Sequence, residues 1–151
     1  IFDFSVTNGI KGSTTSITIV DDDPLITLDS DISSFHEAND VATIFAYSSF
    51  TKASNITVNL VFTGTATDVD DYSRSGSSIT ISSGNTSGSM QIVALVDAVS
   101  DPDETIIVSI DDVTNAVEDG TQSLTLTILE PSETTAPTTQ PGLGYKIGLG
   151  L

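Results

Sequence analysis

The sequence predicts an all-β protein, a sandwich of two antiparallel sheets built from seven strands. Apolar residues alternate with Thr, Ser and other small residues at a period of two through most of the 151 residues, as in half-buried antiparallel strands. Turn-forming residues separate these runs at short intervals, and no window has a convincing helical period. Seven runs within about a hundred residues are typical of a two-sheet sandwich.

The predicted strands follow one another through the middle of the chain. The alternation is clearest where Ile56, Val58 and Leu60 are separated by single Thr and Asn residues. The seven runs are residues 25–29, 41–48, 56–62, 77–82, 89–95, 105–110 and 123–128. The turns between them contain Gly64, Gly76, Gly84-Asn85, Asp101-Pro102 and Asp119-Gly120.

An internal repeat predicts the domain organisation. Val6-Thr7-Asn8 recurs as Val113-Thr114-Asn115, and a glycine turn and a Thr-rich strand follow each copy. Residues 1–23 are therefore interpreted as the last two strands of a preceding repeat, and residues 24–131 as a complete one. Residues 132–141 are Pro/Thr-rich and predict an extended linker. Residues 142–151 alternate apolar residues with glycine, which predicts an orphan strand or the start of a further element.

The charge of the chain restricts its partners. It has 21 acidic residues against 4 Lys and Arg, a net charge of −17. Binding to nucleic acid requires a cationic surface, so this class of partner is excluded. Divalent cations are the natural counter-charge. The absence of cysteine excludes disulfides and zinc–thiolate sites, and no apolar stretch is long enough to span a bilayer as a helix.

Two acidic segments are candidate cation sites. One runs from Asp97 to Glu104 between two strands, with Asp101 and Asp103 inside it, and the other is Asp21-Asp22-Asp23 at a strand end. Calcium needs six to eight oxygen ligands from closely spaced loop positions. The first loop could wrap an ion, with the Val99 carbonyl among its ligands. On spacing alone, a solvated acidic loop explains the same residues.

Several spaced motifs resemble the Calx-β domain family. They are Gly64-Thr65-Ala66, Asp71-Tyr72, Ile79-Thr80-Ile81 with Gly84, Val96-Asp97 and Asp103-Glu104-Thr105, in that order. The resemblance covers residues 24–130 and, as a partial copy, residues 1–23, whose Asp21-Asp22-Asp23 is similar to the motif that closes such a domain. It implies a seven-stranded, Ig-like Calx-β sandwich that follows the last two strands of a preceding repeat.

The resemblance also implies Ca²⁺ at one tip of the sandwich. The implied ligands are Glu37, Asp97, the Val99 carbonyl, Asp101, Glu104 and the closing acid Glu130, with Asp21, Asp22 and Asp23 closing the preceding repeat. This chain departs from the family pattern in two places. Thr63 stands where strong calcium binders carry Asp, and the closing triplet of residues 24–131 is reduced to Glu130. We therefore expect fewer or weaker ions here than in the preceding repeat.

No residue pattern predicts catalysis. His36 is the only histidine, and no nucleophile elbow or phosphate loop occurs. The paired acids Asp70-Asp71 and Asp111-Asp112 lack the aromatic residues that form a sugar platform, since the chain has no Trp. Asp71 is interpreted as a turn former before Tyr72, whose ring should cover the edge of the core. We expect that the protein is not an enzyme.

Two function classes remain. The first is a structural repeat of a large cell-surface adhesin or extracellular filament, which Ca²⁺ rigidifies and neighbouring repeats contact. The second is a calcium-sensing or ligand-binding module that regulates an attached domain. The expected location is extracellular, at the cell surface.

The two chain ends admit a further alternative. Residues 1–20 and 142–151 have apolar faces that invite pairing with another chain by strand addition, and the tail could dock onto an outer-membrane partner as a secretion or anchoring strand. Both ends could equally have been cut from a longer array.

Overall fold

A computed structural model describes residues 22–96 and 102–130 and contains ten β-strands. They are β1 (Leu25–Ser30), β2 (Ser34–His36), β3 (Val41–Ser48), β4 (Ile56–Gly64), β5 (Tyr72–Arg74), β6 (Ser78–Ile81), β7 (Ser87–Ala94), β8 (Glu104–Thr114), β9 (Val117–Glu118) and β10 (Ser123–Leu129).

The strands form two five-stranded sheets. The first sheet has the order β5-β7-β3-β1-β9, and the second has the order β2-β10-β8-β4-β6. All neighbouring pairs are antiparallel except β1 with β9 and β2 with β10. The predicted fold class is confirmed, and β1, β3, β4, β6, β7, β8 and β10 match the seven predicted strands. The other three have two or three residues, too few for an alternating pattern to reveal them.

The core lies between the sheets and follows from the alternation. Ile26, Ile44 and Ile92 point inward from the first sheet and are fully buried. Val58 and Ile106 do the same from the second sheet, while their neighbours along each strand stay partly exposed. Within the part of the chain that the structure describes, no buried side-chain nitrogen or oxygen lacks a hydrogen-bond partner. Two half-apolar sheets thus bury one face each against the other.

The register of β3 defines two opposite ends of the sandwich. At one end, Val41 follows a loop in which the Asp40 carbonyl accepts a hydrogen bond from the Ala94 N–H (3.0 Å). At the other, Ser49 donates to the Leu25 carbonyl (3.0 Å). The eight residues of β3 separate the ends by roughly 23 Å at a rise of about 3.3 Å per residue. The acidic tip comprises residues 37–40, 64–71, 102–104 and 130, and the Pro24 end comprises residues 22–24, 49–55, 82–86 and 115–121.

Three predictions lie outside the described residues. They concern the preceding repeat in residues 1–23, apart from Asp22 and Asp23, together with the linker 132–141 and the tail strand 142–151. They stay predictions. A search of the described residues finds no helix that is long and apolar enough to cross a membrane.

Candidate metal centre at the acidic tip

Glu37 and Glu130 lie side by side at the acidic tip because of the parallel pairing of β2 with β10. The register sets His36 opposite Leu129, so the next residue of each strand is an acid. The Glu37 N–H donates to the Leu129 carbonyl at 3.2 Å and continues the pairing by one residue. Phe35, which is fully buried, anchors the short strand β2 in the core. Glu37 is 8% exposed, so this carboxylate lies at the core boundary rather than in free solvent.

The start of β8 adds two more acids at the same tip. Glu104 pairs with Ile128 on β10, two residues before Glu130. The Asp103 carboxylate accepts a hydrogen bond from the Glu130 N–H at 3.2 Å. This bond ties the segment before β8 to the end of β10, and it brings residues 103, 104 and 130 together although 26 positions of sequence separate the last two (130 − 104).

The Gly64-Thr65-Ala66 motif fastens the end of β4 to the same point of β8. A Cβ atom on Gly64 would lie 2.1 Å from the Thr105 carbonyl oxygen, and the residue has a φ of 127°, so only glycine fits there. The N–H groups of Thr65 and Ala66 both donate to that carbonyl at 3.0 Å, and the Thr105 N–H donates to the Thr65 hydroxyl at 2.8 Å. The motif therefore holds β8 in place directly beside Glu104.

Asp71-Tyr72 closes the loop that follows this motif. The Asp71 carboxylate accepts the Thr67 N–H at 2.5 Å, and the Asp71 N–H donates to the Thr67 carbonyl at 3.0 Å. Tyr72 enters the core edge and is buried. Burial and the nearby Asp68 carboxylate raise the pKa of Tyr72 above its ordinary value of 10.0. This geometry agrees with the interpretation of Asp71 as a turn former and of Tyr72 as a residue that covers the edge of the core.

Arg74 braces the same loop from below. Its guanidinium donates to the Asp68 carboxylate (Nε at 2.9 Å and Nη2 at 2.7 Å) and lies 4.5 Å from the centroid of the Phe62 ring. The intervening Val69 has a φ of 82°, which is unusual for a β-branched residue, and its N–H donates to the Tyr72 carbonyl at 2.8 Å. The ion pair and the backbone bond together hold the loop in this conformation.

His36 sits on the rim of the tip. Its backbone N–H donates to the Asp40 carboxylate at 3.1 Å, and its Nδ1 is 3.6 Å from the same oxygen, with both side chains about half exposed. An exposed pair of this kind contributes little to stability. The structure thus places the His36 side chain at the surface.

The predicted ligands fall into three groups. Glu37, Glu104 and Glu130 lie at the acidic tip. Asp22 and Asp23 lie at the Pro24 end, where the Asp23 carboxylate pairs with Lys52 at 2.6 Å. Asp21, Asp97, Val99 and Asp101 lie outside the described residues. Asp22 and Asp23 lie at the opposite end of the sandwich from Glu37, Glu104 and Glu130, so these two groups cannot bind the same ion within one sandwich. The assignment of Asp22 and Asp23 to a preceding repeat stays a prediction.

The donors at the acidic tip are all carboxylate or backbone oxygens. Such a set suits a hard cation such as Ca²⁺, and the absence of cysteine leaves no soft ligand. Among residues 22–96 and 102–130, no three His, Asp or Glu side chains stand close enough to hold a metal by themselves. The acids between residues 96 and 102 extend this donor set in sequence.

Two acidic residues of the tip were not predicted as site residues. Asp40 binds the β2 backbone, and Asp68 binds Arg74. The spacing of Asp40 four residues after His36, just beyond a strand, was a usable signal. The Asp68–Arg74 pair had none, because its partners meet only where the loop between them folds back through the Val69–Tyr72 backbone bond.

Comparison with known proteins finds similarity at the level of structure. No family model and no curated protein matches the chain in sequence. The apo form of the Calx CBD1 domain is similar, with a TM-score of 0.58 and 15% identity over 71% of this chain and 98% of that one. CBD12 from CALX1.2 is similar with a TM-score of 0.56 and 15% identity, over 64% of this chain and 41% of that one. The likeness shows the fold alone.

A bacterial protein shares the architecture at a lower level. A two-domain protein of unknown function from Bacteroides fragilis has a TM-score of 0.51 and 8% identity, over 72% of this chain and 46% of that one. The chain thus spans less than half the length of this protein and of CBD12. Its fold is the β-sandwich that Calx CBD domains share.

Proposed function

We propose that this chain is a non-catalytic, calcium-rigidified β-sandwich repeat of a large extracellular adhesin or filament at the cell surface. In this function, Ca²⁺ binds at the acidic tip, neutralises the carboxylates gathered there and stiffens the junction with a neighbouring repeat. Strand addition by residues 142–151 to another chain extends the same role.

The position of Glu37, Glu104 and Glu130 at the same end of the sandwich carries the proposal. These acids come from three different strand ends, and the fold supports each of them separately through β2 pairing, the Gly64 motif and the Asp103 hydrogen bond. A chain with a net charge of −17 gains most from a divalent cation where its carboxylates converge.

The proposed ligands are Glu37, Glu104 and Glu130, together with Asp97, Asp101 and the Val99 carbonyl of the adjoining loop. A bound Ca²⁺ would supply positive charge and a rigid cross-link among three chain segments. The protein's own residues position the ligands: Asp103 holds the Glu130 backbone, and Thr65 holds Thr105 beside Glu104.

The decisive experiment is a calcium titration of the full chain, monitored by thermal melting and by calorimetry. A ligand that binds only the folded state adds stability by mass action, about 2.7 kcal/mol at a concentration of 100 times Kd. We expect millimolar Ca²⁺ to raise Tm relative to chelator. Identical melting curves under both conditions would refute the proposal.

Two matched double variants locate the site. Asp97→Asn with Asp101→Asn should remove most of the calcium response. Asp111→Asn with Asp112→Asn removes the same charge from exposed positions on β8 and should leave the response intact. If both double variants lower the response equally, calcium acts through general charge screening rather than through this site.

The regulatory alternative makes a different prediction for the same titration. A structural repeat should stiffen along its whole length without changing conformation, so calcium would alter exchange protection at the tip and the mobility of the junction. A discrete rearrangement of one part of the sandwich on removal of calcium would favour a sensor instead.

A further inference from the structure

The Pro24 end carries an exposed apolar surface that includes two large side chains, Tyr47 and Phe50. Leu25 and Tyr47 point outward from β1 and β3 and are 43% and 41% exposed. Val117, which pairs with Leu25 across β1 and β9, and Phe50, in the loop after β3, are exposed to a similar extent. We call these four residues the Pro24-end patch.

A depression lies within this patch. It has a volume of about 160 Å³ and is lined by Leu25, Thr27, Tyr47, Ser48, Ser49 and Asp119. A cavity of about 150 Å³ is large enough to hold a benzene ring. The depression therefore has the size of one large apolar side chain.

The chain itself arrives at the edge of this patch and is firmly held there. The Asp23 carboxylate pairs with Lys52 at 2.6 Å, and the Pro24 carbonyl accepts the Val117 N–H at 3.0 Å. The Leu25 N–H donates to the Ser49 hydroxyl at 2.9 Å. Because residues 23–25 are fixed on three sides, the segment that precedes them starts from a defined point beside the depression.

We infer that residues 1–21 dock on the Pro24-end patch of the same chain. This segment has an alternating apolar pattern, with Phe2 and Phe4 in one run and Ile17 and Ile19 in the other, and it joins the sandwich at the patch. Its covalent attachment gives it a high effective concentration there. The docking requires no calcium and so stands apart from the proposed function.

Charge favours this occupant over a second copy of the protein. The charged residues of the segment are Asp3, Lys11 and Asp21, so its net charge is −1 (one base minus two acids). A second whole chain carries −17 and is repelled by the acids at this end, among them Asp22 and Asp119. A nearly neutral, apolar segment meets much less repulsion.

Hydrogen–deuterium exchange of the full chain in chelator tests the inference. Amides of residues 1–21 should be protected, equally at several protein concentrations. Leu25→Thr with Tyr47→Thr should speed their exchange about tenfold or more, because local opening becomes easier. The matched control is Val41→Thr with Val61→Thr, at positions of equal exposure away from the patch, and it should have no effect.

Three results of the exchange experiment would contradict the inference. Exchange of residues 1–21 at the unfolded rate, or protection that the patch variant leaves unchanged, would overturn it. Protection that rises with protein concentration would assign the patch to a second copy. The exchange of β3 and β7 amides reports whether the patch variant is folded. If the patch variant is unfolded, the double variant Phe2→Ser with Phe4→Ser replaces it. This variant changes only the segment, so residues 1–21 should lose protection while the sandwich keeps its own.

Discussion

The acidic tip has Glu37, Glu104 and Glu130 at three strand ends, whereas the Pro24 end holds one ion pair and an apolar patch. The two ends are built from the same strands, because β3 and β8 run from one to the other. At the tip, hydrogen bonds to backbone groups support carboxylates that come from distant parts of the sequence. At the Pro24 end, they hold an incoming chain next to exposed Leu25 and Tyr47.

This difference matches the separate roles that we propose for the two ends. A tip made of oxygen donors suits a cation, and an end made of exposed apolar side chains suits a peptide or a neighbouring domain. In the tandem array that we propose, each junction joins the tip of one repeat to the opposite end of the next. The proposed calcium site and the proposed docking patch lie about one strand length apart, so each can be disturbed without the other.

The largest expected effect is at the tip, for Gly64→Ala. The new Cβ would collide with the Thr105 carbonyl in a backbone conformation that L residues rarely adopt, so we expect a loss of about 3 kcal/mol or more in the free energy of unfolding. Gly84→Ala, at the Pro24 end, also has a positive φ but has open space around it, and it should cost about 1 kcal/mol. Denaturant unfolding measures both, and equal losses would contradict the role of the Thr105 contact.

The second prediction compares one glutamate at each end. Glu37→Gln should weaken calcium binding on the order of tenfold, because affinity depends on the number of charged ligands. Glu118→Gln, at the Pro24 end, keeps an oxygen that can accept the Gln122 N–H and should bind calcium like the unmodified chain. Isothermal titration calorimetry measures both affinities. Equal weakening by the two variants would remove Glu37 from the ligand set.

The third prediction concerns the brace under the tip. Arg74→Lys retains the charge but loses the planar guanidinium over Phe62 and its paired contacts to Asp68, so we expect a stability loss of about 1 kcal/mol. The measurement is thermal unfolding at low and high salt. A variant as stable as the original chain would show that a point charge is sufficient at this position.

The smallest expected effect is at the Pro24 end, for Lys52→Met. The pair with Asp23 is partly exposed, so its loss should cost about 0.5 kcal/mol and less in high salt. Asp23→Asn should give the same loss. A cost above that of Arg74→Lys would mean that the attachment of residues 22–24 contributes more to the fold than the brace at the tip.

The pH dependence of the tip follows from Tyr72. Its raised folded-state pKa means that the unfolded chain releases this proton first. The contribution of Tyr72 to stability is thus complete below pH 10 and is lost as pH rises through the folded-state pKa.

Much of the fold was predictable because the strands are long and alternate cleanly. The run Ile56–Leu60 predicts β4, since each apolar residue in it is buried and each Thr or Asn between them is not. The strands β2, β5 and β9 escaped prediction because two or three residues carry no period, yet Phe35 in β2 is among the most buried side chains. Its burial depends on a parallel pairing with β10, which is about ninety residues away in the sequence.

For the candidate site too, part could be predicted from the sequence and part depends on strand pairing. The family resemblance implied Glu37, Glu104 and Glu130 as ligands at one tip, and the register of β2, β8 and β10 shows how strand pairing places them there. The same register places Asp22 and Asp23 at the opposite end. No pattern of neighbouring residues contains this information, because it depends on which strands pair and in which direction each one runs.

By itself, the sequence determined the fold class, the positions of the seven longer strands and the excess of negative charge. These properties depend on local alternation and on composition, which each segment carries alone. Only the tertiary structure decided which loops share a tip, and which glycines are irreplaceable. A Cβ on Gly64 would strike Thr105, and one on Gly88 would lie 2.5 Å from the Thr80 carbonyl, although both look like ordinary turn or strand residues in the sequence. Close approach between two backbones is a property of the packed chain, so it appears only when the strands are brought together.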